Sequence, residues 1–145
     1  MRRKTSFYYD IYRCEGERAN KLSVRLKSIL FTPGRKYVYY FRHASEAKCM
    51  LTRLFWSLLL YRTRTKTGIQ IPVGTKIGLG MRILHFGTIV VNPYAVIGKN
   101  FNIAQGVLIG NSEGKNAGVP TIGDNVYCGA NSLILGGGYI LATMY

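Results

Sequence analysis

The sequence predicts a mostly β chain with a helical N-terminus, in which short strands and turns repeat after a set of α-helices. Three observations carry that expectation. Isoleucine recurs every six residues beyond residue 70, glycine or asparagine stands midway between most of the isoleucines, and basic residues crowd into positions 1–66.

The recurrence runs through Ile71, Ile77, Ile83 and Ile89, shifts to Val91, and continues at Ile97, Ile103 and Ile109. After a loop it resumes at Ile122, Cys128, Ile134 and Ile140. Ten of these twelve positions are isoleucine, out of thirteen isoleucines in the chain, a placement chance does not produce. A helix repeats every ~3.6 residues and a strand every ~2, so a period of six fits neither alone. It fits a short strand plus a turn, with one branched side chain per unit pointing at a common axis. The turn needs a residue tolerant of positive φ, which glycine and asparagine supply at least cost. Three residues after the anchors stand Gly74, Gly80, Phe86, Tyr94, Asn100, Gly106, Asn125, Asn131 and Gly137. Phe86 and Tyr94 break the rule close to His85, and local rule-breaking marks functional or strained places.

Residues 1–66 hold 16 of the 20 Lys/Arg and 4 of the 6 Asp/Glu, a net of +12, whereas residues 67–145 carry +2. The boundary near Thr65–Gly68 separates a basic helical N-terminal region, 1–66, from a repeat domain, 67–145. Leu22, Leu26, Ile29 and Leu30 recur at helical spacing up to Pro33-Gly34. A second helical pattern runs from Arg35 through Tyr39 and Arg42 towards Ala47. A third, Met50–Arg62, carries the apolar stripe Leu51, Leu54, Phe55, Leu58 and Leu59. Hydrophobic residues at 48% and charged residues at 18% exclude a disordered chain. Cys14, Cys49 and Cys128 lack C-x-x-C spacing, so neither a disulfide framework nor a zinc site is indicated. No apolar run approaches the roughly 18 residues of a membrane span. Met1-Arg2-Arg3-Lys4 is followed by no signal-peptide core, which makes the cytoplasm the expected compartment.

The units Ile77-Gly78-Leu79-Gly80, Ile97-Gly98-Lys99-Asn100, Ile122-Gly123-Asp124-Asn125 and Cys128-Gly129-Ala130-Asn131 resemble those of the hexapeptide-repeat transferases. The resemblance implies a left-handed parallel β-helix of triangular cross-section. Within that superfamily the chain is most similar to the serine acetyltransferase group. The matching segments are Gly68-Ile69-Gln70-Ile71, Ile83-Leu84-His85-Phe86-Gly87-Thr88-Ile89-Val90-Val91 and Gly106-Val107-Leu108-Ile109-Gly110.

By position, the resemblance puts the catalytic histidine on His85. Acetyl transfer from a thioester needs a base for the acceptor hydroxyl's proton, and imidazole titrates near working pH; the alternative is a histidine serving local hydrogen bonds. The group's orienting aspartate corresponds to Gln70, a nearby histidine to Pro72, and a second active-site histidine and arginine to Val119 and Gly118. These departures move the acceptor from serine towards a sugar or polysaccharide hydroxyl, with both left open. Asn92 is a second candidate for orienting His85 or the acceptor, against a plain turn asparagine. The resemblance also implies acetyl-CoA as co-substrate, with no metal. It would be held by the loop Gly110–Gly118, including Asn111 and Lys115, and by the edge at Gly129 and Ala130. A homotrimer is implied too, with the cofactor groove between neighbouring coils of two chains.

Rival readings are fewer. A metal-dependent carbonic anhydrase on this fold needs several histidines, and the chain has only His43 and His85. The charge of +14 suggests nucleic acid, but no recognised binding module is visible. Met50–Arg62, with Trp56, Arg53, Arg62 and Arg64, suits either peripheral contact with an anionic membrane or packing against the coil or a partner. The repeat gives out after Ile134, which suggests a transferase truncated after about four coils. A frameshift near Leu141 would restore the pattern. The alternative function is therefore an inactive fragment acting as a binding or oligomerisation module.

Overall fold

The computed structural model describes residues 5–140; Leu141 and the frameshift expectation lie outside them. Four helices come first: α1 Ser6–Glu15, α2 Leu22–Phe31, α3 Pro33–Glu46 and α4 Met50–Thr67, with a 3₁₀ turn Gly16–Asn20 after α1. The last three match the expected helices. α1 adds a fourth, burying Phe7, Tyr8, Asp10 and Ile11 on one face; its aromatic residues are only middling helix formers, so packing rather than propensity makes it. Pro33 opens α3, where its fixed φ suits a first helical position. α4 packs on α3 and buries Leu60, Thr63 and Thr67. Its apolar stripe Leu51, Leu54, Phe55 and Leu58 faces outward.

Eleven short strands follow among the described residues. They are β1 Ile69–Gln70, β2 Lys76–Ile77, β3 Arg82–Ile83, β4 Ile89–Val91, β5 Val96–Ile97, β6 Asn102–Ile103, β7 Leu108–Gly110, β8 Pro120–Ile122, β9 Tyr127–Cys128, β10 Leu133–Leu135 and β11 Gly138–Ile140. Every third strand joins the same sheet: β1-β4-β7-β10, β2-β5-β8-β11 and β3-β6-β9. All pairings are parallel, so the chain winds through three sheets in rotation.

The isoleucines stack in register. One column is Ile77, Ile97, Ile122 and Ile140; another is Ile83, Ile103 and Cys128; a third sets Val91 beside Ile109 and Ile134. Ile97, Ile103, Ile109 and Ile122 are buried, while Ile77 and Ile134 are partly so. Gly78, Gly98 and Gly123 follow Ile77, Ile97 and Ile122 of the first column. A Cβ on Gly98 would lie 2.6 Å from the Gly123 carbonyl carbon, and one on Gly78 would meet the Gly98 carbonyl carbon equally closely. Glycine there lets adjacent turns stack backbone on backbone. Positive φ falls as expected at Gly74, Gly80, Asn100, Gly106, Asn125 and Asn131. It misses Phe86, Tyr94 and Gly137, and appears instead at Gly87, Thr88 and Gly136.

The first turn has no preceding turn to satisfy its outer backbone groups, and the helices supply partners. Tyr37 Oη donates to Ile71 O at 3.1 Å and accepts from Ile71 N at 2.9 Å. Arg42 donates to Ile77 O and Gly78 O at 2.7 and 2.6 Å, and Arg13 to Gly80 O at 2.6 Å. Asp10 Oδ1 accepts from Gly80 N and Met81 N, each at 2.8 Å. Asp10 and Arg42 form a buried ion pair, Oδ2 to Nε 2.9 Å. Burial is the larger influence on Asp10 and raises its carboxyl above the ordinary range, opposed by Arg42 and the two N–H groups. Helical and coil cores form one continuous cluster, from Phe7 and Tyr37 to Ile122 and Cys128.

Candidate active site

The connection from the third sheet back to the first is where the turns differ. Register sets Ile83 beside Ile103 and Cys128, and Val91 beside Ile109 and Ile134. Eight residue steps separate Ile83 from Val91, against six in each of the next two turns. The two extra residues make a bulge, Leu84–Thr88, that carries His85 outward into solvent. Gly87 and Thr88 both take positive φ, +128° and +39°. For β-branched Thr88 that conformation is strained, and such strain gathers at functional sites. The bulge rests on the helices: a Cβ on Gly68, the residue capping α4, would lie 2.8 Å from Thr88 N.

His85 lines an open cleft of about 230 Å³ between coil and helices, with Ile83, Leu84 and Phe86 on one wall and Phe31, Thr32, Pro33 and Gly34 on the other. Phe31 and Phe86 are largely exposed within it. His85 is the sole titratable side chain in that lining. The first turn of α3 seats closely because Gly34 has no side chain; a Cβ there would lie 3.1 Å from Ile83 Cβ.

The other expected residues are distributed around the coil. Gln70, on β1, pairs in register with Val90, and its Oε1 accepts from Arg64 Nη2 at 2.8 Å. Asn92 does not take positive φ; its Oδ1 accepts from Tyr94 N at 2.9 Å and closes the turn into β5. Gly129 and Ala130 occupy the same corner as His85, two turns on. Asn111 and Lys115 lie exposed in the loop after β7, which is pinned by paired Ser112 and Gly118 backbone bonds at 3.1 Å. That loop leaves the opposite end of the first sheet. Gly110 has a packing role: a Cβ there would lie 2.9 Å from Leu135 Cδ2. Pro72 and Val119 stand at the corner between the first and second sheets, with Val119 packed on the core.

Gln105 was not foreseen. It follows Ile103 by two residues, as Ala130 follows Cys128, but the two-residue bulge puts Gly87, not His85, beside it; a Cβ on Gly87 would lie 3.9 Å from Gln105 Cβ. Gln105 O accepts from Asn131 N at 2.9 Å, and Gly106 N donates to Gly87 O. Its side-chain Oε1 is buried without a hydrogen-bond partner among the described residues. The signal was its place two residues after the Ile103 anchor, one turn on from the bulge.

No protein-family profile matches the chain. Individual proteins do. Over 81 residues, 54% of this chain and 50% of the relative, it is 41% identical to the Escherichia coli K12 protein named as colanic acid biosynthesis acetyltransferase WcaB. Over 113 residues, 77% of this chain and 45% of the relative, it is 33% identical to a serine acetyltransferase of Synechocystis. The fold aligns with serine acetyltransferase isoform 3 of Entamoeba histolytica, solved with cysteine, at TM-score 0.68 and 27% identity over 95% of this chain and 49% of that one. A Brucella abortus serine acetyltransferase solved with coenzyme A shares the fold, at TM-score 0.66 and 23% identity over 94% of this chain and 56% of that one. The chain spans about half the length of the curated relatives it matches.

Helices followed by a parallel three-sheet coil with isoleucine columns define the architecture of the hexapeptide-repeat acyltransferases. Within that class, the chain's homologues are serine acetyltransferases and WcaB.

Proposed function

We propose that the chain is the acyl-transfer part of a cytoplasmic, acetyl-CoA-dependent O-acetyltransferase. The observation carrying this reading is His85, displayed on a strained two-residue bulge at the mouth of an open cleft. His85 acts as general base. As the acceptor oxygen attacks the thioester carbonyl, the imidazole takes the hydroxyl proton; as the carbon–sulfur bond breaks, the imidazolium returns that proton to the departing thiolate. Backbone N–H groups of neighbouring turns receive the developing oxyanion.

A sugar or polysaccharide hydroxyl is favoured over L-serine as acceptor. The cleft presents the aromatic faces of Phe31 and Phe86 and no fixed charge for an ammonium or carboxylate. Gln70 engages Arg64, so Gln105, packed beside Gly87 of the bulge that carries His85 and with its Oε1 unpartnered among the described residues, is the better placed positioning residue. Gln70 and Asn92 remain lesser candidates. Coenzyme A is assigned to Gly129 and Ala130 on the His85 corner, with Gly110, Asn111 and Lys115 reaching the groove from a neighbouring chain. In one chain the two sets lie at opposite ends of the first sheet, which supports a homotrimer. The left hand of the coil and the division into 1–66 and 67–145 belong to the same reading.

The test is calorimetric binding of coenzyme A, followed by thiol release from acetyl-CoA against a panel of sugars, glycans and serine. We expect turnover with a neutral sugar acceptor, reduced ~10²–10⁴-fold by His85→Ala. Gln105→Leu should shift the pH profile and Gln105→Asn restore part of the rate. Undiminished turnover in His85→Ala rejects the base. Failure to bind coenzyme A leaves the chain a binding or oligomerisation module.

A further inference from the structure

α4 is turned inside out for a surface helix. Its buried side holds Thr63 and Thr67 beside Leu60, whereas Leu51, Leu54, Phe55 and Leu58 are 72, 65, 56 and 57% exposed. These four share one face by their i, i+3, i+4, i+7 spacing. A contiguous exposed apolar patch of this kind marks an interaction surface. The charged residues of α4 are Arg53, Arg62, Arg64 and Lys66, all exposed and all basic. At 100° per residue, Arg62 lies within the apolar stripe and Lys66 beside it, whereas Arg53 and Arg64 fall on the opposite side of the helix, where Arg64 donates to Gln70. No helix among the described residues is long and apolar enough to cross a membrane.

We propose that this face of α4 rests on an anionic lipid surface. Charge selects the occupant. Two copies brought together here would oppose Arg62 and Lys66 to the same pair, with no acidic residue of α4 to offset them, on chains of net charge +14. An anionic bilayer satisfies both halves of the pattern: acyl chains accept the leucines and phenylalanine, and headgroups accept Arg62 and Lys66. Trp56 does not insert. Its ring packs on Tyr39 and His43, at 5.6 and 4.7 Å between centroids, and anchors α4 to α3 from behind.

The experiment uses the whole chain with sucrose-loaded vesicles of phosphatidylcholine, with and without about 30% phosphatidylserine. We expect pelleting with the anionic vesicles only, largely reversed at about 0.5 M salt. Leu54→Ser/Leu58→Ser changes exposed side chains, so the fold survives, and lowers the affinity at least ~10-fold. Arg62→Gln lowers it about fivefold. Equal binding to neutral vesicles, no binding to either, or an unaffected serine double variant overturns the proposal. So does a concentration-dependent oligomer in sedimentation equilibrium that the same variant dissociates, since the face would then belong to a second copy.

Discussion

At the residue scale, the side chains with the largest structural consequence lie where the helices meet the first turn. Asp10 accepts two backbone N–H groups and two guanidinium bonds while almost wholly buried. Removing it by Asp10→Ala orphans Arg42 and two amides, and should cost about 3–5 kcal/mol in urea denaturation. Tyr37 bonds both backbone groups of Ile71, and burial pushes its phenol up to about 12. An unfolded tyrosine titrates near 10. The folded state therefore keeps this contribution below about pH 10 and loses it as pH climbs towards 12. Urea midpoints across that range should fall for the native chain and fall less for Tyr37→Phe. Cys128, raised to about 11 by burial, titrates in the same window, so the comparison with Tyr37→Phe isolates the tyrosine.

Individual turns show what a sequence exposes and what it conceals. The isoleucine columns were legible because each needs one kind of side chain at one interval. So were the asparagine turns, whose positive φ few residues tolerate; Asn100 Nδ2 also donates to Asn125 Oδ1 at 2.9 Å. The Val91 shift was visible as well, but its meaning was not: only register shows that two residues are extruded and that His85 rides on them. α1 was hidden because aromatic residues at its buried positions favour helix and strand nearly alike. α4 was legible as a helix, but not what its stripe meets. An apolar stripe says that a face is covered, not what covers it. Stacking also explains glycines that no φ demands. Gly98→Ala meets the Gly123 backbone at 2.6 Å, and thermal or urea melts should show a loss of about 1–3 kcal/mol or more, as for overpacking. Alanine at Gly129, whose nearest foreign atom would be 3.7 Å away, should cost far less.

Across the whole molecule, the helices and the coil form one body joined by a continuous core and a belt of polar contacts around the first turn. That belt gives the solenoid a direction. A bare starting edge would template strand addition; here it is plugged by side chains drawn from three places, residues 10–13, Tyr37 and Arg42. Turns are stacked by nearest-neighbour contacts, so a unit could be duplicated or deleted downstream of β6 without disturbing the plug. Excising residues 1–66 would instead unstopper the coil and leave the backbone of its first turn open to strand addition from another chain.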